Sequence, residues 1–252
     1  MKKIKISAII ITFNEEKNIE RCLKSLKDVA DEIVVVDSFS TDKTEEICHN
    51  YSVRFIQHTF DGHIEQKNFA KDQANYDFVL SLDADEALSS KMRETILSIK
   101  NDCLFDGFYF RRTTNFCGKW IRYSGWYPDW KLRLWNRHAG KWQGLNPHDR
   151  FEIEEGTTTK VQGDILHYSF DTIDSFYVQQ SKFALISANA LLKRGKKSNY
   201  FLLFLKPLNR FIRDYFYKLG FLDGRAGFII CMASAYTKFI IYSKMLEEQQ
   251  KH

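Results

Sequence analysis

No two of the five cysteines form a Cys-x-x-Cys pair: Cys22, Cys48, Cys103, Cys117 and Cys231 are scattered through 252 residues. An odd, dispersed set argues against a disulfide framework and a zinc site, and points to a reducing cytosol. Proline is scarce at 3 residues and glycine at 12, and no repeat or biased segment occurs, which excludes flexible linkers and low-complexity arrays. Neither the Gly-x-Gly-x-x-Gly fingerprint nor the Gly-Lys-Ser/Thr phosphate loop is present, so a diphosphate would find no glycine cradle. Also missing is an uninterrupted run of about 20 apolar residues, the length a spanning helix requires. In the C-terminal third, Lys206, Pro207, Arg210 and Arg213 break one candidate and Lys238 interrupts the next. The opening "MKKIKISAIIITFNEE" starts like a secretory signal, but its apolar part, Ile6 to Thr12, is short and meets Asn14-Glu15-Glu16 with no small-residue cleavage site. It reads as a buried first strand.

What is present is the composition of a folded protein, 44% hydrophobic and 27% charged, with enough chain for one large domain and an appendage. The formal charge of +5 is modest but uneven. Between Lys193 and Arg225 nine Lys/Arg face only Asp214 and Asp223, a surplus that suits an anionic partner such as a membrane surface. Nucleic acid is not an expected partner.

The first hundred residues alternate between β-rich runs ("ISAIIIT", "EIVVVD", "VRFIQH", "DFVLSLD") and helical patterns ("EKNIERCLKSLKD", "TDKTEEICHNY", "HIEQKNFAKDQA", "SKMRETILSIKN"). Strands apolar on both faces and separated by helices predict a doubly wound, mostly parallel α/β sheet flanked by helices. Asp42 and Glu45 have the spacing of an acidic N-cap and its reciprocal partner. Beyond about residue 105, aromatic and Gly-interrupted segments predict antiparallel or mixed strands extending that sheet. From about Thr172 the pattern is helical to the end. The expected division is therefore a first domain over 1–170, with halves 1–104 and 105–170, and a helical C-terminal region over 171–252.

The apolar run "FVLSLDADEALS" stops at three carboxylates in four residues, Asp83, Asp85 and Glu86. Like charges this close repel, so water or a cation must compensate them. A solvated turn capping the next helix is the plain explanation. Against it, ligands of open α/β sheets bind beyond the carboxyl ends of the strands, and the fourth strand ends there. Thr12, Asn14 and Glu15 follow the first strand, and Asp37 and Asp42 the second, at the same edge. These groups suit the base and ribose of a nucleotide. With no glycine cradle, its phosphates would need a divalent ion, which typically takes one or two carboxylates; Asp85 is placed to give one.

"IIITFNEEKNIERCLKSL", "EIVVVDSFSTDKTEEI", "QKNFA" and "LSLDADE", in that order, closely resemble the family 2 glycosyltransferases, which have the GT-A fold. "GWYPDWKLRLW", "HDR", "LHYSF" and "GFLDGRAGF" continue the likeness toward the branch that adds glucose to heptose in the lipopolysaccharide inner core. The resemblance implies inverting transfer of a hexose, glucose from UDP-glucose, to a lipid-linked saccharide, assisted by Mg2+ or Mn2+. It also implies work on the cytoplasmic face of the inner membrane. By the same resemblance Thr12, Asn14, Glu15, Asp37 and Asp42 surround the nucleotide, Lys67 lies near its phosphates, and Asp83 and Asp85 form the Asp-x-Asp motif.

Inversion needs a base for the acceptor hydroxyl. The candidate is Asp149 in "NPHDR", where related sequences usually carry His-Glu; a salt bridge to Arg150 or Arg133 is its structural alternative. Asp129 is the reserve. His167 is a candidate metal ligand, since a neutral imidazole suits manganese, or a packed core histidine. Lys131 and Arg133 would share one side of a strand, facing diphosphate, an anionic acceptor or water. Trp120, Trp126, Trp130 and Trp142 offer either sugar-stacking surfaces or core. In the C-terminal helices, aromatics interleave with Lys206, Arg210, Arg213 and Lys218, as in an interfacial amphipathic helix or one packed on the domain. Two other classes compete: a nucleotidyltransferase, disfavoured because "TFNEEKNIE" lacks a glycine loop, and a non-catalytic scaffold, disfavoured by the intact Asp-x-Asp.

Overall fold

Strands that are apolar on both faces need helices on both faces, and a computed structural model of the chain has that arrangement. It describes residues 2–145 and 148–251, with side chains for all of these except Leu145, His148 and Asp149. In chain order, β1 (Ile6–Thr12), α1 (Ile19–Leu26), β2 (Glu32–Asp37), α2 (Thr44–His49), β3 (Arg54–Gln57), α3 (His63–Asp72) and β4 (Phe78–Asp83) alternate as expected. There follow β5 (Glu86–Leu88), α4 (Ser90–Asn101), β6 (Gly107–Phe116), β7 (Lys119–Trp120), β8 (Asp129–Asn136), β9 (Gly140–Leu145), β10 (His148–Ile153) and β11 (Thr158–Phe170). The C-terminal helices are α5 (Ile173–Lys193), α6 (Tyr200–Ile212) and α7 (Gly224–Gln250). The chain divides into two compact units, Met1–Arg112 with Asp129–Tyr168, and Thr113–Pro128 with Ser169–His252.

In the first unit β3, β2, β1 and β4 lie side by side and parallel, with Thr12 opposite Asp37 and Ile11 opposite Asp83. Ile6, Ala8 and Ile10 pack with Leu23 and Leu26 of α1 and Met92 and Ile96 of α4. Ile9 points the other way, and with Val34, Val36 and Val79 it meets Ala70 of α3 and the ring of Trp135. This is the period of two expected of a strand covered on both sides. Beyond β4 the strands are antiparallel, and the sheet runs β3-β2-β1-β4-β8-β6-β11-β5, with β9 and β10 as a separate hairpin.

One local expectation fails. Asp42 accepts from the Thr44 amide at 3.0 Å at the start of α2, but Glu45 does not close a reciprocal box; it faces Gln57 at 3.4 Å and His49 at 3.5 Å. The second Asp42 oxygen is taken by the Glu16 amide at 3.0 Å, so the residue ties two loops rather than completing one cap.

The second unit takes in Thr113–Pro128, which the sequence pattern placed in the first domain. The cause is packing: Phe116, Ile121 and Trp126 form one cluster with Phe170, Phe176 and Ile230. The Asp223 carboxylate, 3% exposed, anchors the segment further by accepting from the Arg122 and Tyr123 amides at 3.2 and 2.8 Å. Glycine is required at position 227, where a Cβ would lie 1.9 Å from the Gly220 carbonyl oxygen. Three of the nine cations between Lys193 and Arg225 are paired: Arg210, Arg213 and Lys218 converge on Asp214, which is 1% exposed. Burial of a carboxylate is tolerable only when it is paired in this way. The other six cations, Lys193, Arg194, Lys196, Lys197, Lys206 and Arg225, are exposed, as are apolar groups that include Phe201, Phe204, Leu208, Phe228, Met232 and Tyr236. Contrary to the sequence expectation, Gly220–Gln250 is long and apolar enough to cross a membrane by length and composition, a test that core helices of soluble proteins also pass. Its window from 226 to 243 carries Lys238 as its one charge, too little to lower the mean hydropathy decisively.

Candidate active site

The loops after β1 and β2 are stitched together at the carboxyl edge of the parallel strands. Asn14, with a left-handed φ of 55°, donates its amide to Ser40 Oγ at 2.8 Å and accepts from the Thr41 amide through Oδ1 at 2.8 Å. The Glu15 amide donates to Thr44 Oγ1 at 2.8 Å. Asp37 is fully buried and accepts from the amide of Ser40 at 2.7 Å and from its hydroxyl, so it is committed to its own turn rather than open at the edge. Thr12 Oγ1 is buried without a hydrogen-bond partner among the described residues, the kind of orphaned group that marks a missing partner.

Electrostatics vary along this edge. Burial, more than the Asp85, Asp42 and Asp83 carboxylates nearby, raises the pKa of Glu15, and the hydrogen bond from Asn18 opposes this. For Asp42, burial pushes the same way but is outweighed by the Thr44 hydroxyl and by the Glu16 and Thr44 amides, so its pKa is lowered.

The three carboxylates after β4 divide the work. Asp83 meets Lys67 Nζ at 3.1 Å and Arg133 at 3.0 Å. Burial alone would raise its pKa, yet these two cations hold it well below the usual carboxylate range. Glu86 is fully buried, accepts from the Asp83 amide at 3.0 Å and from Arg133 at 2.7 Å, and lies 3.6 Å from Arg112. Asp85 meets instead His167 Nε2 at 3.1 Å, on β11, and its carbonyl accepts from the Tyr168 amide at 2.9 Å. The cluster is thus compensated mainly by cations distant in the chain, Lys67 on α3 and Arg112 and Arg133 on β6 and β8.

The other candidates fall around this core. Lys67 is nearly buried, with its ammonium 4.5 Å from the Trp142 ring centroid. Asp129 accepts from Arg112 at 2.8 Å and meets Lys131 at 3.2 Å. Asp149 lies in β10 opposite Gly144, and its side chain is outside the described residues. Arg150, one of its salt-bridge alternatives, pairs with Glu152. Trp142 and Trp126 belong to the cores of the first and second unit respectively.

Three residues of the site were not singled out from sequence: Arg112, which with Glu86 of the acidic run anchors the ion-pair network, and Phe13 and Phe39, which are 57% and 53% exposed beside the stitched loops. Isolated apolar residues inside the polar "TFNEE" and "DSFST" were the available signal for the last two. Among the described residues no group of three or more His, Cys, Asp or Glu side chains forms a metal cluster. Asp85 nevertheless offers one hard oxygen that suits Mg2+ or Mn2+, and the His167 imidazole beside it is a ligand for Mn2+ rather than Mg2+; either ion fills its remaining positions with substrate phosphate and water.

A model of the family described as "Glycosyl transferase family 2" matches residues 7–196. The chain is 28% identical over 254 residues, 97% of its length and 93% of the relative's, to the lipopolysaccharide core biosynthesis glycosyltransferase LpsC of Rhizobium meliloti. It is also 28% identical, over 96% of its length and 87% of the relative's, to the uncharacterized glycosyltransferase RT0209 of Rickettsia typhi. Among solved structures, S. aureus TarS 1-349 superposes with a TM-score of 0.51 at 18% identity over 98% of this chain and 92% of that one, and that protein is also solved in complex with UDP-GlcNAc.

Proposed function

The chain belongs to glycosyl transferase family 2 and is a glycosyltransferase with a GT-A type fold; from that premise we propose that it is an inverting enzyme moving glucose from UDP-glucose to a lipid-linked saccharide of the lipopolysaccharide core type. The observation that carries this is the division of the Asp-x-Asp pair, with Asp83 held ionised by Lys67 and Arg133 and Asp85 turned to His167 at the carboxyl edge of the parallel strands. The uridine nucleotide and the acceptor are supported by the TarS complex and by the name of LpsC.

In this reading Thr12, Asn14, Glu15 and Asp42 shape the nucleoside pocket, Asp37 acts on it only through the Ser40 turn it holds, and Phe13 and Phe39 are faces for the base. Lys67 and Arg133 act through Asp83, keeping it charged and oriented toward the donor, while Lys131 faces the acceptor side. Asp85 would hold Mg2+ or Mn2+ against the diphosphate, with His167 as a further ligand for Mn2+. Such an ion, when bound, offsets the negative charge that builds on the leaving group. Asp149 takes the proton of the acceptor hydroxyl as its oxygen bonds to the anomeric carbon and the bond to diphosphate breaks on the opposite face. Asp129, engaged by Arg112 and Lys131, is the second candidate for that proton.

Asp149→Asn is expected to lower the transfer rate by about 10²–10⁴-fold, the usual contribution of a general base, with UDP-glucose affinity unchanged. Radiolabelled-donor kinetics and calorimetry on the same variant check it; an equal loss of donor binding assigns Asp149 to structure.

The exposed aromatic face of α6 and α7 fits an interfacial location on the cytoplasmic leaflet, where an acceptor anchored in lipid is found by a local search. In cosedimentation, anionic liposomes should pull the protein down and Phe201→Ser with Phe204→Ser should release it. Recovery of both proteins in the supernatant would make this a soluble transferase.

A further inference from the structure

Trp130 differs from Trp126, Trp135 and Trp142 in belonging to no core cluster among the described residues. It lines an open cleft of about 550 Å3 within the first unit, together with Lys160, Arg111, Lys91, Glu94 and Gln162. The Lys160 ammonium lies 4.9 Å and the Arg111 guanidinium carbon 5.9 Å from the indole centroid. Two of the three cations already have carboxylate neighbours, Arg111 with Asp164 at 3.2 Å and Lys91 with Glu94 at 3.1 Å. Lys160 makes no ion pair with any described residue, and the cleft keeps a positive balance.

The cleft is distinct from the donor edge. Arg111 and Trp130 are register partners on β6 and β8, and the next pair along is Arg112 and Asp129, part of the Glu86 network. Side chains alternate across a sheet, so the two pairs project to opposite faces of the same strands.

We propose that this cleft is a second, non-catalytic binding site for a sugar ring that carries a phosphate or carboxylate. An indole offers a flat apolar face to the C–H groups of a pyranose while its edge stays open to polar groups. Gln162 and Ser98, also in the lining, supply amide and hydroxyl partners for ring hydroxyls. The unpaired Lys160 supplies the charge-assisted bond that favours an anionic sugar over a neutral one. The volume lies in the range of small-molecule sites, enough for one or two sugar rings.

The test is calorimetric titration of the intact protein with glucose 6-phosphate, glucuronate, glucose and inorganic phosphate, with saturating UDP and Mg2+ present so that the donor edge cannot take up the sugar phosphate. UDP binding is measured first and by itself, so a failure of the transferase reading is recorded independently of the cleft. The expected result is binding of glucose 6-phosphate or glucuronate at least about tenfold tighter than glucose or phosphate alone, the scale of one hydrogen bond to a charged group. Lys160→Gln should erase that tenfold preference, Trp130→Ala should abolish binding, and Trp130→Phe should retain it. Glucose binding as tightly as the anionic sugars, no binding of either anionic sugar, or affinities within twofold of wild type in Lys160→Gln and Trp130→Ala would each overturn the proposal. If Trp130→Ala does not fold, the Lys160→Gln titration decides alone.

Discussion

Asp85→Asn is expected to cut transfer by at least about 10²–10³-fold, the cost of removing one group that stabilises transition-state charge. Asparagine keeps the shape and can still meet His167 at the present 3.1 Å spacing, so the fold and the Asp83 ion pairs should survive. What it removes is the formal charge. Nucleotide affinity should therefore lose its dependence on added Mg2+ or Mn2+ while metal-free UDP binding stays near the wild-type value. Single-turnover kinetics and a UDP titration with and without metal check both halves. Near-normal metal-dependent turnover in this variant would take the metal role away from Asp85.

Glu86→Ala should give the largest loss of stability. Glu86 is fully buried, receives Arg133, itself 5% exposed on its side chain, and holds the Asp83 amide. Deleting it leaves a buried guanidinium short of one of its two carboxylates and an amide without its acceptor. Breaking a buried pair from one side typically costs about 3–5 kcal/mol, far more than an exposed pair contributes. Glu86→Gln keeps an acceptor oxygen and should lose less. Urea unfolding monitored by tryptophan fluorescence reads both; a loss below about 1 kcal/mol for the alanine variant would show that Arg133 is supported by Asp83 alone.

These two residues also show what a sequence can and cannot disclose. That Asp83 ends the fourth strand, with Asp85 just beyond it, was legible, because β1, β2 and β4 are apolar on both faces and are separated by helices of ordinary length. Which cation answers which carboxylate was not, because Arg133 reaches Asp83 across 50 residues of chain through the antiparallel pairing of β8 with β4. Lys131 and Arg133 were therefore read as facing diphosphate, an anionic acceptor or water, whereas both are engaged by carboxylates, Asp129 and Asp83 with Glu86 respectively. The same limit explains Thr113–Pro128: nothing local in "TTNFCGKWIRYSGWYP" announces that Phe116 and Trp126 pack against Phe170 and Phe176. In the C-terminal region the alternation of rings and cations was plain, but Asp214, one acidic residue among them, reorganised three of the cations around itself.

The stitching between the loops after β1 and β2 has a kinetic consequence. Asn14, Glu15 and Glu16 bond Ser40, Thr41, Asp42 and Lys43 across 26 to 29 residues of chain, and Thr44 is part of the same set. The ordering entropy of this rim is lost once, during folding, so under the proposed function a nucleotide arriving there would meet two loops already tied to each other. Residence time at a rim of that kind would be set by the strength of its contacts rather than by a loop opening and closing.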